Sequence, residues 1–172
     1  VCAGDAVTLT ASSTVAGTIG TGTLSTTSSY TPLSRNDEGA RRQYLVRASE
    51  LSAAGIFGPR ILSSISFNVT TNPVLLPNNL NGYTIKLAHT ATATVAGFET
   101  ASFTQVYGPV NYSPVTGANK FDFTGTFTWD GTSNVLVEVC YENDANNTCV
   151  AGSPICCGNT PSVSYATTSF TS

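Results

Sequence analysis

Charge is what this sequence has least of. Lys, Arg, Asp and Glu together supply 10% of its 172 residues, well under the roughly 25% of an ordinary soluble domain. Only seven are Lys or Arg, and the formal net charge is -3. A nucleic-acid surface needs a basic stripe to displace counterions, so that class of partner is excluded. Methionine is absent, and a chain without an initiator reads as a processed product or an excised piece. Lysine occurs only at Lys86 and Lys120, which leaves little to furnish the exposed faces of helices. No apolar run approaches the roughly 20 residues of a membrane-spanning helix, and no signal peptide is recognisable. The chain reads as soluble, with no membrane insertion.

Hydrophobic content, by contrast, is an ordinary 41%. The missing charge is replaced mainly by Thr, Ser, Asn and Gly; the first favours strands and the others favour turns. Strand signals accordingly fill the chain. Residues 1–10 alternate, and 11–29 are a low-complexity run of Thr, Ser and Gly that reads as a linker or a flat edge strand. RRQYLVRA follows the polar turn at 34–39. ILSSISFNV places Ile65, Phe67 and Val69 on one face. TTNPVLLPNNLNG reads as a loop because of its Pro and Asn residues. Further strands are YTIKLAHT, FTQVYG, FDFTGTFTWDG, NVLVEVCYEN and PSVSYATTSF. In NVLVEVCYEN, Val135, Val137, Val139 and Tyr141 face one way, and Leu136, Glu138, Cys140 and Glu142 the other. One short helix is expected near 49–54, with Ser49 at its N-cap and Gly55 closing it. Eight or more strands with long and short connections predict an all-β, two-sheet antiparallel β-sandwich of the jelly-roll type.

The cysteines cluster. Cys2 stands alone, while Cys140, Cys149, Cys156 and Cys157 share one stretch. A four-cysteine zinc site uses CxxC knuckles, and none is present, so disulfides are the better expectation. Two bridges within the cluster, or one reaching back to Cys2, leave a thiol over. Pairing of Cys140 with Cys149 or Cys157 is favoured, as a staple for a long loop. The opposing reading is that Cys140 stays reduced because its strand buries it.

The catalytic inventory is short. The single His, His89, has no carboxylate near it in sequence to orient it for a triad, and reads as structural or exposed. Glu138 and Glu142 share a strand face but stand roughly 13 Å apart by strand rise, beyond the spacing of a glycosidase pair; they read as decoration of a solvent face. GTIGTGT at 17–23 lacks the Lys and following helix of a phosphate loop and reads as a flexible turn. Five of the seven basic residues fall between Arg35 and Arg60, among Asp37, Glu38 and Glu50, as in a self-neutralising loop and strand edge. The sharper reading has Arg41, Arg42 and Arg47 anchoring an anion or a neighbouring subunit. Calcium is the best candidate cofactor: Glu142, Asn143, Asp144, Asn146 and Asn147 offer hard oxygen donors. They lack EF-hand spacing, and an Asx-rich loop capping its own turns is the weightier explanation. Asn36, Asp37 and Glu38 form a second, weaker group.

Six segments, RRQYLVRASELSAAG, ISFNV, YTIKLAHT, FTQVYGPVNYSPV, FTWDGTSNVLVEVCYEN and SVSYATTSF, resemble in order a module of very large secreted and surface proteins of Bacteroidetes. The resemblance covers about residues 18–172, and its most specific parts are ASEL and WDGTSN with VEVC. The opening VCAGDAVTLTAS is similar instead to the first strand of Ig-like repeats in such proteins. This divides the chain into 1–17, an N-terminal strand and linker, and 18–172, the sandwich. The insert TCVAGSPICCGN departs from the pattern. The resemblance implies export by the gliding-associated secretion route and a place in adhesins or surface filaments, and it supplies no catalytic residues.

The expected function is therefore a non-catalytic structural or adhesive module of a secreted or cell-surface protein, as a repeating unit of an extracellular filament. The alternative is a carbohydrate-binding module in which Tyr30, Tyr107, Tyr112 and Trp129 stack on sugars of surface glycans, although aromatics at strand ends, Trp129 among them, read more readily as core or sheet-edge packing. A hydrolase is the least supported class. Thr-rich edges short of Lys and Pro add a further expectation, that residues 1–29 contact another copy or an adjacent domain.

Overall fold

The computed structural model describes residues 15–19, 31–33, 39–69, 79–143 and, for the backbone, 168–171. Eight strands and one helix follow in order: β1 (Ala16–Ile19), β2 (Gly39–Val46), α1 (Ala48–Ala53), β3 (Arg60–Val69), β4 (Leu80–Thr90), β5 (Thr104–Tyr112), β6 (Gly117–Trp129), β7 (Asn134–Glu142) and β8 (Thr168–Thr171). They form two four-stranded sheets, ordered β1-β8-β3-β6 and β2-β7-β4-β5, and every pairing is antiparallel. The two sheets bury a common core. Ile65, Phe67, Phe121 and Trp129 from the first meet Tyr44, Tyr83, Ile85, Val137 and Val139 from the second. The chain is an all-β sandwich with one short helix.

Periodicity explains most of this. In β6, Asn119, Phe121, Phe127 and Trp129 point inward, while Lys120, Asp122, Thr124, Thr126 and Thr128 stay exposed. That is the period of two expected where one face meets water. In β7 the pattern breaks, because every residue from Val135 to Tyr141 is buried. The second sheet is thus covered on its outer face as well, by residues 91–103, which connect β4 to β5. Val95 packs there against Leu45, Ala88 and Leu136, with Ala101 and Phe103 beside them.

The helix begins one residue before the predicted start, with Arg47 rather than Ser49 as its N-cap. Two side chains fix this. Glu50 accepts the Arg47 N–H at 2.7 Å, and Asn134 Oδ1 accepts the Ala48 N–H at 2.8 Å. Its C-terminus closes at Gly55 as expected. Gly55 adopts φ +88° and donates to Ser52 O, while Ile56 donates to Leu51 O. This is a Schellman closure, which a residue without Cβ adopts without strain.

Other boundaries shift too. The segment 70–82 was expected to be a loop, yet β4 starts at Leu80. Leu80 is fully buried and opposite Tyr112, so burial overrides the surrounding Asn residues. β5 runs on to Tyr112, past the expected FTQVYG. The division between 17 and 18 falls inside β1, whose four residues all pair with β8. The expected strand at 1–10, the remainder of 11–29 and most of the closing segment before Thr168 lie outside the described residues.

One long side of the sandwich is closed by β5 and β6, which belong to different sheets. Between Phe127 and Asp122, β6 slips against β3 and leans toward β5. Thr124 Oγ1 donates to Val106 O at 3.4 Å. At Gly125, an added Cβ would lie 2.3 Å from Gln105 O. Gly125→Ala is therefore expected to lower the urea midpoint by the equivalent of about 1–3 kcal/mol, with an unchanged slope. Gly97→Ala, where nothing lies within 4 Å, is the control and should stay within about 0.5 kcal/mol of the parent. Equal midpoints for the two variants would contradict the close approach.

Candidate functional site

The most elaborate polar constellation lies beneath residues 91–103, on the outer face of the second sheet. At its centre is Glu138, in mid-β7 and 3% exposed. Strand register brings its partners to it: Gln43 of β2 is directly opposite on one side and Lys86 of β4 on the other. Arg41, two residues from Gln43 on the same face, donates to Glu138 Oε2 through Nε at 2.8 Å and stands 2.8 Å away through Nη2. Gln43 Nε2 donates to the same oxygen at 2.9 Å, and Lys86 Nζ lies 3.5 Å from Oε1.

Gln43 also faces outward. Its Nε2 donates to Glu99 O at 3.0 Å, and its Oε1 accepts the Glu99 N–H at 2.7 Å. One carboxamide thus pairs with the covering segment as a neighbouring strand would. Arg41 lies 4.7 Å from the centre of the Phe98 ring, a favourable cation–π distance. Two further bonds hold the start of the segment: Arg47 Nη2 donates to Ala93 O at 3.2 Å, and Asn134 Nδ2 to Thr92 O at 2.9 Å.

This corrects two expectations. Glu138 does not decorate a solvent face; the covering segment turns that face into an interior. Arg41 and Arg42 do lie on an edge strand, β2, but the basic residues 41–47 are engaged rather than solvated. Arg41 and Arg47 bind groups of this chain, and Arg42 is buried with its guanidinium 5.7 Å from the Tyr141 ring centre. A signal for Glu138 was present in the sequence. VLVEVCY is a nearly continuous apolar run, the mark of a strand buried on both faces, and a carboxylate within it needs partners.

The glycan candidates separate. Trp129 is fully buried, and its Nε1 donates to Ser133 O at 2.7 Å, so it offers no ring face to a sugar. Tyr107 and Tyr112 are half-buried and pack on Phe121 at 5.0 and 4.7 Å between ring centres. Tyr112 OH donates to Asn119 Oδ1 at 2.8 Å. Burial raises the hydroxyl pKa of both above the ordinary tyrosine value. Tyr30 lies outside the described residues.

Of the candidate calcium ligands, only Glu142 and Asn143 are described. Asn143 is engaged with the start of β4: its Oδ1 accepts the Asn81 N–H at 2.8 Å and its Nδ2 donates to Asn79 O at 3.0 Å. Asp144, Asn146, Asn147, Asn36, Asp37 and Glu38 lie outside the described residues. Among the described residues, no three His, Cys, Asp or Glu side chains are grouped to hold a metal. Cys140 is buried and free; the cysteines expected to pair with it, Cys149 and Cys157, lie outside the described residues. Cys2, Cys149, Cys156 and Cys157 are not described. His89 is exposed and stacks on Phe127 with ring centres 4.7 Å apart.

Asp130 organises the turn between β6 and β7. Its Oδ2 accepts the Ser133 hydroxyl at 2.6 Å, and its Oδ1 accepts the N–H groups of Thr132 and Ser133 at 2.8 and 2.7 Å. These bonds, the Ser133 hydroxyl first, hold its pKa far below the usual carboxylate value. No family model matches the chain, and no curated protein or solved structure matches it significantly.

Glu138→Gln leaves two cations around a neutral group and should cost about 2–4 kcal/mol in chemical denaturation. Gln43→Ala should instead accelerate hydrogen exchange at Glu99 and its neighbours with a smaller loss of global stability; a uniform effect would contradict the clamp. A depressed carboxylate contributes stability above its unfolded pKa near 4, and that contribution is lost as pH falls through the folded value. NMR titration should therefore show Asp130 ionised well below pH 4. Ser133→Ala should move its inflection upward, and an unmoved inflection would count against the hydroxyl as the main cause.

Proposed function

We propose that this chain is a non-catalytic structural and adhesive module of a large secreted or cell-surface protein, repeating along an extracellular filament. The observation that carries the proposal is how the polar side chains are used. Glu138 fastens the covering segment, Glu50 caps the helix, and Asp130 shapes a turn. Asn134 joins the helix to residue 92. Asn119, buried, accepts from Tyr112 OH and the Val115 N–H and donates to Val115 O and Gly117 O. Groups committed in this way hold the scaffold rather than stand ready for proton transfer.

The path of the strands agrees with a scaffold role. The chain crosses between sheets at every step except β4 to β5, and we read this order as a jelly roll, whose double sheet limits exposed edges. The sequence resemblance to Bacteroidetes surface modules supports export and a surface location, as does an exterior of Thr, Ser and Asn. Electron microscopy of the native assembly, with protease treatment of intact cells, tests the reading. The expected result is a sandwich-sized unit repeating along a fibre and removed by external protease. An intracellular, protease-protected pool that does not assemble would overturn it.

A further inference from the structure

The two ends of the described chain meet in one strand pair. β1 and β8 are antiparallel with Ala16 opposite Thr171 and Ile19 opposite Thr168, so the outer ends of the first and last described strands are cross-strand neighbours. β1 is the outermost strand of its sheet. Its pairing with β8 extends over four positions, and β8 is joined to β3 over four more, from Thr171 opposite Ser64 to Thr168 opposite Phe67. The other pairings are longer: nine positions for β3 with β6, eight for β2 with β7, seven for β4 with β7 and five for β4 with β5.

From this arrangement we infer that β1 and β8 form a clasp that peels open first when the module is pulled from just outside Ala16 and Thr171. Antiparallel ladder bonds run perpendicular to the strands. Tension applied at Ala16 and Thr171 draws the two ends apart across the ladder and loads its bonds one after another. The same tension directed along a strand loads all of them together. Peeling continues naturally to the next pair, because Thr171 is also where the β8–β3 pairing begins. Once β8 leaves, the backbone edge of β3 from Ser64 to Phe67 is uncovered, and with it a strand that carries the core residues Ile65 and Phe67. Such an edge accepts an added strand. The clasp thereby couples load on the tether to exposure of a pairing edge. A tether acting on these ends belongs to the surface-module function proposed above, whereas the order of rupture is a property of the fold alone and is measured on the isolated chain.

Single-molecule force spectroscopy tests this with two attachment geometries. Handles attached at residues 14 and 172, immediately outside the pair, load the clasp for peeling. Handles at residue 14 and at a genetically encoded azide replacing Thr116, exposed beyond the opposite end of the sheet, load β1 lengthwise. The first rupture is expected at clearly lower force in the first geometry. A Thr18→Cys/Ser169→Cys disulfide, joining residues that are directly paired and verified by intact mass, should abolish that first event, and reduction should restore it. Equal or higher force in the first geometry, or a first event that survives the verified cross-link, would overturn the inference. If the cross-link does not form, the two geometries decide alone.

Discussion

The buried carboxylate of Glu138 is the interaction on which the second sheet depends. It stands at the centre of β7, the strand with neighbours on both sides and cover on both faces. A charge in that position has lost most of its hydration, and only close cations and donors compensate. Arg41, Gln43 and Lys86 do so from the two flanking strands, which fixes the register of three strands at one point. Gln43 then passes the constraint outward to Glu99. Register, burial of the outer face and the path of residues 91–103 are therefore consequences of one constellation.

A second constellation, at the β6–β7 corner, works by local hydrogen bonds instead of charge pairing. Asp130 binds the turn that follows it, the turn presents Ser133 O to the Trp129 indole, and Asn134 reaches both the helix start and Thr92 O. The turn, α1 and the covering segment are thus tied at one end of the sandwich. At the other end, Asn79, Asn81 and Asn143 link the start of β4 to the end of β7, with the Asn79 side chain donating to Asn81 Oδ1. A chain with few charges has used carboxamides where other proteins use ion pairs. Carboxamides both donate and accept, so each can bridge two backbones.

Strand periodicity was legible because it is local. β6 and β7 could be read as strands from their own residues, and so could the helix closure at Gly55. What escaped were contacts set by distant segments. Nothing near Glu138 in sequence names residues 91–103 as its cover, and the face of β7 carrying Glu138 therefore read as solvent-exposed. Leu80 was hidden among Asn residues that signal a loop, though its partner Tyr112 lies 32 positions away. Packing of Trp129 in the core was legible, but only the fold shows its indole held by the turn that follows.

The two outer faces now differ in kind. That of the second sheet is closed by residues 91–103, and its charged groups are spent beneath them. That of the first sheet presents Ile61, Ser63, Thr124, Thr126 and Thr128, all exposed, with Lys120 and Asp122 paired to each other at 2.7 Å. An exposed pair of this kind contributes little to stability, and it leaves the local net charge near zero. Hydroxyls keep such a face hydrated without giving it a long-range field. Approach by another surface is then neither steered nor repelled electrostatically, and contact depends on shape and close-range hydrogen bonding. In the filament proposed above, neighbouring copies would then meet across this face without repelling one another.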